Sequence, residues 1–297
     1  MKQTLLLIAG NGRSGSTILD ILLARRPLTA TVGELRWLWS RGLTDPRTCS
    51  CGSAIPECPF WSEVVARVER DTGLPARVLG RRLESLLQNR SRARHLAFRP
   101  QSADSDVQEF LAAVYRHVFS LSGATVIVDS SKFFAYVSLA EFASRVPSTV
   151  IHMVRDPRAV AYSWTRRKKR PDVRGRSAYM PQYPPWKTAR SWLYQQALLL
   201  RLRHRWHTYR LVRYEDFVAR PSQTLEQLLD PSSTTATSST ILPCHAVDGN
   251  PVRFSGHPPR IRPDMEWVTQ LPLHQKILVT AITLPLLSRF GYPVWPR

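Results

Sequence analysis

Glycine, hydroxyl and guanidinium groups lie close together near the start of the sequence. Gly10-Asn-Gly-Arg-Ser-Gly-Ser-Thr17 follows the apolar run Leu5–Ala9 and precedes an amphipathic stretch that extends to Leu23. This order predicts a strand, a tight turn and a helix, because glycine allows sharp turns and close approach of a ligand. The N–H groups and the dipole of a helix N-terminus favour an anion. The segment therefore indicates a phosphate-binding loop, and the alternative is a glycine-rich turn without a ligand.

The loop departs at one position from the P-loop pattern of ATPases and GTPases. Gly10 and Gly15 have the required spacing, but Ser16 stands where that pattern has lysine. A magnesium-dependent nucleotide hydrolase is therefore disfavoured, and Arg13 supplies positive charge from within the loop. The candidate anion-binding residues are Gly12, Arg13, Ser14, Gly15, Ser16 and Thr17.

A second candidate anion site follows a buried strand in the middle of the chain. Thr149–Val154 is mainly apolar, Arg155 and Asp156 follow it, and Ser163 lies about two helical turns further on. A guanidinium at the carboxyl end of a parallel strand, with a hydroxyl on the next helix, suits a phosphate group. The alternative is a local ion pair between Arg155 and Asp156 at the start of a helix.

These two segments together resemble the sulfotransferases that use 3′-phosphoadenosine 5′-phosphosulfate (PAPS). Arg13-Ser-Gly-Ser-Thr17 resembles the loop that binds the 5′-phosphosulfate in that family, and Ile151–Trp164 resembles its 3′-phosphate motif. The resemblance implies an α/β fold, with a P-loop-like parallel sheet flanked by helices and a helical cap insertion. It also implies transfer of a sulfuryl group from PAPS to a hydroxyl group, without a metal ion, by a protein of the bacterial branch.

Sulfuryl transfer requires a base for the acceptor proton and positive charge near the leaving group. Val32-Gly-Glu-Leu-Arg36 is similar to a segment of tyrosylprotein sulfotransferases in which the first glutamate is the base, which implies this role for Glu34. The alternative is a glutamate that stabilises a helix N-terminus. Because some sulfotransferases use histidine, His152 and His245 are also candidates for the base.

Three further residues complete the predicted site. Lys132 follows the buried strand at 125–129 and is, with Arg13, a candidate charge stabiliser. Val212–Phe217 resembles a segment that follows a late strand in this family, which implies that Tyr214 contacts the nucleotide; the alternative is a core aromatic. Gly249–Phe254 is similar to a loop that covers the nucleotide, and its Arg253 is the candidate third cation near the 3′-phosphate.

The composition is strongly basic. The 297 residues include 42 Lys and Arg against 22 Asp and Glu, a net charge of +20, and such a chain attracts polyanions. A nucleic-acid-binding protein is therefore an alternative of another class, and a nucleotide or small-molecule kinase is the alternative among enzymes. The basic run Arg166–Arg170 contains no aromatic residue, which disfavours nucleic acid. We predict no nucleic-acid partner, and we interpret this run as a solvated helix end rather than a gate for anionic substrates.

We predict a single sulfotransferase domain over residues 1–297. Helical periodicity predicts the cap at about 40–122, and Ser and Thr residues predict a linker at about 230–242. The cap and the pair Trp37 and Trp39, which could also belong to the core, are candidates for binding a hydroxyl-bearing acceptor of anionic or aromatic character. No stretch of about 20 apolar residues occurs, so we expect no transmembrane helix and a cytoplasmic protein.

The chain has four cysteines, of which Cys49, Cys51 and Cys58 are clustered and Cys244 is distant. Since we find no export signal, we predict reduced thiols rather than a disulfide framework. A zinc site is the alternative, and it would need a fourth ligand such as Cys244 or His245. Because the spacing is unusual for zinc, we predict no metal.

Overall fold

A parallel sheet of five strands, in the order β2-β3-β1-β4-β5, forms the centre of the molecule. The computed structural model describes residues 3–45, 47–175, 177–229, 241–254 and 261–295. The strands are β1 Thr4–Gly10, β2 Thr29–Gly33, β3 Val126–Lys132, β4 Ser148–Val154 and β5 Tyr209–Arg213. The α-helices of the described residues are α1 Ser16–Leu23, α2 Pro59–Thr72, α3 Ala76–Gln88, α4 Arg90–Phe98, α5 Ser105–Ser122, α6 Phe134–Ala143, α7 Pro157–Thr165, α8 Pro185–Leu202, α9 Tyr214–Ala219, α10 Pro221–Leu228, α11 Glu266–Gln270 and α12 Leu273–Leu287.

The strand order brings the ends of three strands to one edge of the sheet. The central strand β1 pairs with β3 on one side, where Ala9 lies opposite Lys132, and with β4 on the other, where Gly10 lies opposite Met153. The loop after β1 therefore lies between the turn that carries Lys132 and the strand end that carries Arg155. The order of the strands changes direction at β1, and this is where open α/β sheets bind their ligands.

Both faces of the sheet are covered by helices. Leu5 and Leu7 of β1 belong to a core that includes residues of α2 to α6, whereas Leu6 and Ile8 pack with residues of α1, α9 and α10. Successive side chains of a strand point to opposite faces, so a strand covered on both sides is a nearly continuous apolar run. The predicted fold class, a P-loop-like parallel sheet flanked by helices, is confirmed.

Helices α2 to α5 form the insertion between β2 and β3. They begin at Pro59, and shorter helical turns and loops occupy residues 35–45 and 47–58. The buried side chains of Trp61, Leu79 and Phe110 belong to the same core cluster as Leu5 of the central strand. The insertion is helical, as predicted, but it packs as part of the sheet's own core and is not a separate layer.

Two further predictions concern segments outside this core. Residues 230–240 of the predicted linker lie outside the described residues. Among the described residues, no helix is both long and apolar enough to cross a lipid bilayer.

We predict that Gly33→Ala destabilises the protein more than Gly73→Ala. Both glycines have positive φ, +70° and +66°, so alanine costs about 1–2 kcal/mol at either position. Only at Gly33 would the new Cβ lie 2.5 Å from a backbone atom, the carbonyl oxygen of Val247. Displacing Val247 disrupts its hydrogen bonds to Glu34 and Val32, at about 1 kcal/mol each. Unfolding in denaturant measures the free energy of unfolding of both variants. Equal losses of this free energy would contradict the close approach of Gly33 to Val247.

Candidate active site

The loop after β1 forms the floor of a cavity of about 450 Å³. Two positions of this loop require glycine, because neighbouring aromatic rings leave no room for a Cβ atom. A Cβ at Gly12 would lie 2.7 Å from the indole of Trp164, and a Cβ at Gly15 would lie 2.4 Å from the ring of Tyr214. Gly15 is also the N-cap of α1, with φ +86°, so the loop leads directly into the helix N-terminus as the sequence predicts.

Arg13 is a buried cation whose guanidinium lacks hydrogen-bond partners. Its side chain lies over the ring of Trp164, 4.7 Å from the ring centroid, and its residue is 8 % exposed. None of its three guanidinium nitrogens has a partner among the described residues, and neither has the buried hydroxyl of Ser14. Burial lowers the pKa of Arg13 to about 10. Buried donors of this kind require an acceptor, and an anion bound in the cavity would supply it.

Glu34 and Lys132 form an ion pair in the same cavity. Lys132 Nζ lies 2.5 Å from Glu34 Oε1, and it also donates to the carbonyl oxygen of Ser130 at 3.0 Å. The side chain of Glu34 makes no capping hydrogen bond to the helical turn that follows it. No capping contact therefore supports the alternative of a helix-stabilising glutamate. The backbone N–H of Glu34 donates to Val247 at 2.8 Å, which fixes where its side chain begins.

A buried carboxylate supports the turn that carries Lys132. Asp129 accepts hydrogen bonds from the hydroxyls of Tyr115 and Tyr136, at 2.7 and 3.1 Å, and from Ser131 at 2.5 Å. Burial raises the pKa of Asp129 to about 6. These contacts hold the chain at Lys132, which has a positive φ of 68° that residues other than glycine rarely adopt.

Arg155 extends from the end of β4 to the loop of β1. Its Nη1 donates to the carbonyl oxygen of Arg13 at 3.1 Å, its Nη2 pairs with Asp264 at 2.8 Å, and its guanidinium lies 4.3 Å from the ring centroid of Tyr214. Its buried Nε has no partner among the described residues. Ser163, on α7, lines the same cavity and is buried.

The local ion pair considered for Arg155 is made by another arginine. Asp156 pairs with Arg158 at 2.7 Å, and its side chain accepts from the backbone N–H of Arg158 as the cap of α7. Asp156 therefore stabilises the helix, whereas Arg155 remains directed to the cavity.

The basic run Arg166–Arg170 is not simply a solvated helix end, and that interpretation is wrong for two of its residues. Lys168 lines the cavity, and burial lowers its pKa to about 8, helped by the charges of Arg13 and Arg166. Arg170 is buried and pairs with Asp172 at 2.6 Å and with Asp248 at 2.8 Å. Sequence reasoning missed these residues, because nothing within the run distinguishes a buried arginine from an exposed one.

Arg253 does not line the cavity. Its side chain is buried and forms an ion pair with Asp20 of α1, although Gly249, Asn250 and Val252 of the same segment line the cavity wall. Its Nε and Nη1 are buried without a partner among the described residues. The structure thus brings the predicted loop to the cavity, and the role of Arg253 stays a prediction.

Neither candidate histidine lines the cavity. His152 is enclosed within β4, where it hydrogen-bonds to Gln196 and, at 2.6 Å, to the hydroxyl of Tyr209. Burial lowers the pKa of His152 to about 4. His245 lies beside Cys49 and Cys58. Glu34 is therefore the candidate base that the cavity contains.

The two candidate acceptor tryptophans have different environments. Trp37 lines the cavity and also a neighbouring one of about 280 Å³, together with Arg36 and Phe133. Trp39 is buried in the core and packs edge-on against Phe110, with 4.6 Å between ring centroids. Only Trp37 can therefore contact a ligand.

The family model described as "Sulfotransferase family" matches residues 6–232, which include the loop of β1, Glu34, Lys132 and Arg155. The chain belongs to the sulfotransferase family. The resemblance to sulfotransferases inferred from Arg13–Thr17 and Ile151–Trp164 is thus confirmed, and the cavity is the candidate active site of a sulfotransferase.

Solved structures of two bacterial sulfotransferases are similar to this one. The sulfotransferase domain of the olefin synthase from Synechococcus PCC 7002 is 19 % identical, with a TM-score of 0.47 over 100 % of this chain and 98 % of that chain. Sulfotransferase STF1 from Mycobacterium tuberculosis H37Rv is 15 % identical, with a TM-score of 0.39 over 80 % of this chain and 72 % of that one. No curated protein matches the sequence.

We predict that this sulfotransferase binds adenosine 3′,5′-bisphosphate, the product expected from the sequence, less tightly as the pH rises through about 8. Lys168 is a cation only below its pKa of about 8, whereas the ligand's phosphates are fully ionised above about pH 7. Losing this charge should weaken binding by about three- to tenfold between about pH 7 and pH 9.5. Calorimetric titration measures it. Lys168→Arg keeps the charge and should flatten the profile; an unchanged slope would exclude Lys168 as the titrating group.

Proposed function

We propose that the protein transfers a sulfuryl group from PAPS to a hydroxyl group of an acceptor. The observation that carries the proposal is the charge of the cavity. Seven basic residues and three acidic residues are among the described residues that line it, an excess of four positive charges. The basic residues are Arg13, Arg36, Arg41, Lys132, Arg155, Lys168 and Arg170, and the acidic ones are Glu34, Asp248 and Asp264. A cavity with this excess suits a ligand with several negative charges.

Two groups of hydrogen-bond donors support a nucleotide that carries phosphates at both its 5′ and its 3′ positions. The first group is the loop of β1 with Arg13, Ser14 and the N-terminus of α1. The second is Arg155, at the end of β4, with Ser163 of α7. A 5′-phosphosulfate would bind to the first group and a 3′-phosphate to the second. ATP has no 3′-phosphate, and Ser16 replaces the lysine that magnesium-dependent P-loop enzymes use for its phosphates.

Glu34 and Lys132 support a direct transfer. PAPS supplies an activated sulfuryl group, bonded through oxygen to its 5′-phosphate. Glu34 would take the proton of the acceptor hydroxyl, and that oxygen would form the new bond to sulfur. The bond between the sulfur and the 5′-phosphate oxygen would break, and its electron pair would stay with that oxygen. Lys132, 2.5 Å from Glu34, and Arg13, with its free donors, would stabilise the charge that develops there.

The acceptor would enter from the neighbouring cavity of about 280 Å³. Arg36, Trp37 and Phe133 line both cavities, and the guanidinium of Arg36 lies 4.0 Å from the Trp37 ring centroid and 5.0 Å from that of Phe133. Aromatic faces together with a guanidinium favour an acceptor with an aromatic ring or an anionic group.

We predict that Glu34→Gln abolishes turnover and leaves binding of adenosine 3′,5′-bisphosphate nearly unchanged. Glutamine cannot take a proton, so the rate should fall by about 10²–10⁴-fold. Turnover is followed by release of adenosine 3′,5′-bisphosphate from PAPS in an acceptor screen. Glu226→Gln, on the exposed face of α10, is the matched control and should keep full activity. Full activity of Glu34→Gln would remove Glu34 from the mechanism.

We predict that the protein binds adenosine 3′,5′-bisphosphate much more tightly than ADP in the absence of metal, and that Arg155→Ala removes this preference. A charge-assisted hydrogen bond to phosphate is worth about 1.5–3 kcal/mol, or about 10- to 100-fold in affinity. ADP is the internal control, because a general loosening of the Arg13 loop would weaken both nucleotides equally. Calorimetry measures the affinity of the wild-type protein and of Arg155→Ala for each of the two nucleotides.

The same titrations distinguish the alternatives. Binding of ATP only with Mg²⁺ would support a kinase. Salt-sensitive binding of polyanions without dependence on a 3′-phosphate would support a nucleic-acid-binding protein. Either result would overturn the proposal.

A further inference from the structure

Three cysteines and one histidine converge on a single point outside the candidate active site. The sulfur of Cys58 lies 3.6 Å from that of Cys51, 3.8 Å from that of Cys49 and 3.3 Å from Nδ1 of His245. Cys49 Sγ is 3.8 Å from the same nitrogen. All four ligand atoms lie within 4.8 Å of one another. Cys49 and Cys58 are buried, whereas Cys51 is exposed.

Four of these separations, at 3.3–3.8 Å, are close to those of a tetrahedral zinc site. With zinc–sulfur bonds of about 2.3 Å and a zinc–nitrogen bond of about 2.0–2.1 Å, tetrahedral geometry separates two sulfurs by about 3.8 Å and a sulfur from a nitrogen by about 3.6 Å. The observed sulfur separations along Cys51–Cys58–Cys49 are 3.6 and 3.8 Å. We propose that Cys49, Cys51, Cys58 and His245 bind one structural Zn²⁺ ion.

The ligand set is also that of a closed structural site. Three thiolates and one imidazole are a known zinc combination, and four protein ligands leave no coordination position for a substrate. A disulfide would require two sulfurs at about 2.05 Å, and it would use only two of the four groups. The fourth cysteine, Cys244, is adjacent to His245 but is not part of this group, and its sulfur accepts a hydrogen bond from Ser50 at 3.2 Å.

The surrounding residues stabilise thiolates and orient the imidazole. Cys58 is the N-cap of α2, the position next to the free N–H groups of the helix N-terminus. N–H groups at a helix N-terminus favour a thiolate, the form that binds metal. The ring of Phe60 stacks on that of His245 with 4.6 Å between centroids, and Trp61 Nε1 donates to the carbonyl oxygen of His245 at 2.8 Å. Such neighbours fix the orientation of a metal ligand.

The ion would join two segments that are distant in the sequence. Ser50, in the loop at 49–58, makes two hydrogen bonds to Ala246. Its hydroxyl oxygen accepts from the N–H of Ala246, and its own N–H donates to the carbonyl oxygen of Ala246. The next residue, Val247, hydrogen-bonds to Val32 and Glu34. The zinc site would therefore hold in place the segment that positions the backbone of Glu34. This inference does not depend on the proposed function.

The metal content of the full-length protein tests the proposal directly. Protein purified in reductant without chelator should contain about one zinc per chain by elemental mass spectrometry. Cys58→Ser should lose the zinc, and Cys244→Ser, the matched control, should keep it. A wild-type protein that contains no zinc and takes up none when Zn²⁺ is added would overturn the proposal. So would a zinc content that Cys244→Ser loses and Cys58→Ser keeps.

Cobalt replacement gives a readout that does not require a folded variant. Wild-type protein freed of metal and titrated with Co²⁺ should show the ligand-field absorption of a tetrahedral site and sulfur-to-metal charge transfer, saturating at about one equivalent. Thiol alkylation followed by peptide mass spectrometry should find all three cysteines reduced once the metal is removed. An octahedral spectrum without charge transfer, or a disulfide between Cys51 and Cys58 in the purified protein, would contradict the zinc site.

Discussion

The structure depends on positive charge that is buried at one edge of a parallel sheet. Lys132, Arg155 and Arg170 each have an acidic partner within 2.5–2.8 Å, whereas the guanidinium of Arg13 has no hydrogen-bond partner among the described residues. Removing a cation from water is costly unless it is paired. The core on both faces of the sheet supplies the stability that holds these groups in place, and a bound anion would complete their pairing. The same electrostatic constraint therefore favours an anionic ligand in the cavity.

Backbone strain is concentrated at the same edge. Arg13, Lys132 and Asp248 line the cavity and have positive φ angles of 72°, 68° and 51°. A left-handed conformation costs such residues about 1–2 kcal/mol each. It persists because neighbouring contacts determine it: Asp129 holds the turn at Lys132, and Arg170 holds Asp248. Strain of this kind is typical of functional sites, where side chains are fixed in advance of ligand binding.

Much of this arrangement follows from local sequence. The apolar run at Leu5–Ala9, with Gly10 and Gly15 beyond it, determines a buried strand and a loop that leads into a helix. A similar pattern before Arg155 determines a second strand end with a cation. Because parallel strands end at a common edge, these local patterns predicted the P-loop-like sheet, and most of the predicted site residues line the cavity. Local patterns did not reveal how the helical insertion packs, because the apolar faces of α2 to α5 suit either a cap or the sheet core that they join.

By itself, the sequence determined the strands, the glycine-rich loop after β1, the cation after β4 and the family. Tertiary structure alone decided which charged groups meet: Glu34 with Lys132, Arg253 with Asp20, and Arg170 with Asp248. It also decided that His245, rather than Cys244, joins the three clustered cysteines. The physical reason is that strands, turns and helix caps depend on neighbours along the chain. Ion pairs and metal sites form between residues far apart in sequence, and only the packing of the sheet and its helices brings them together.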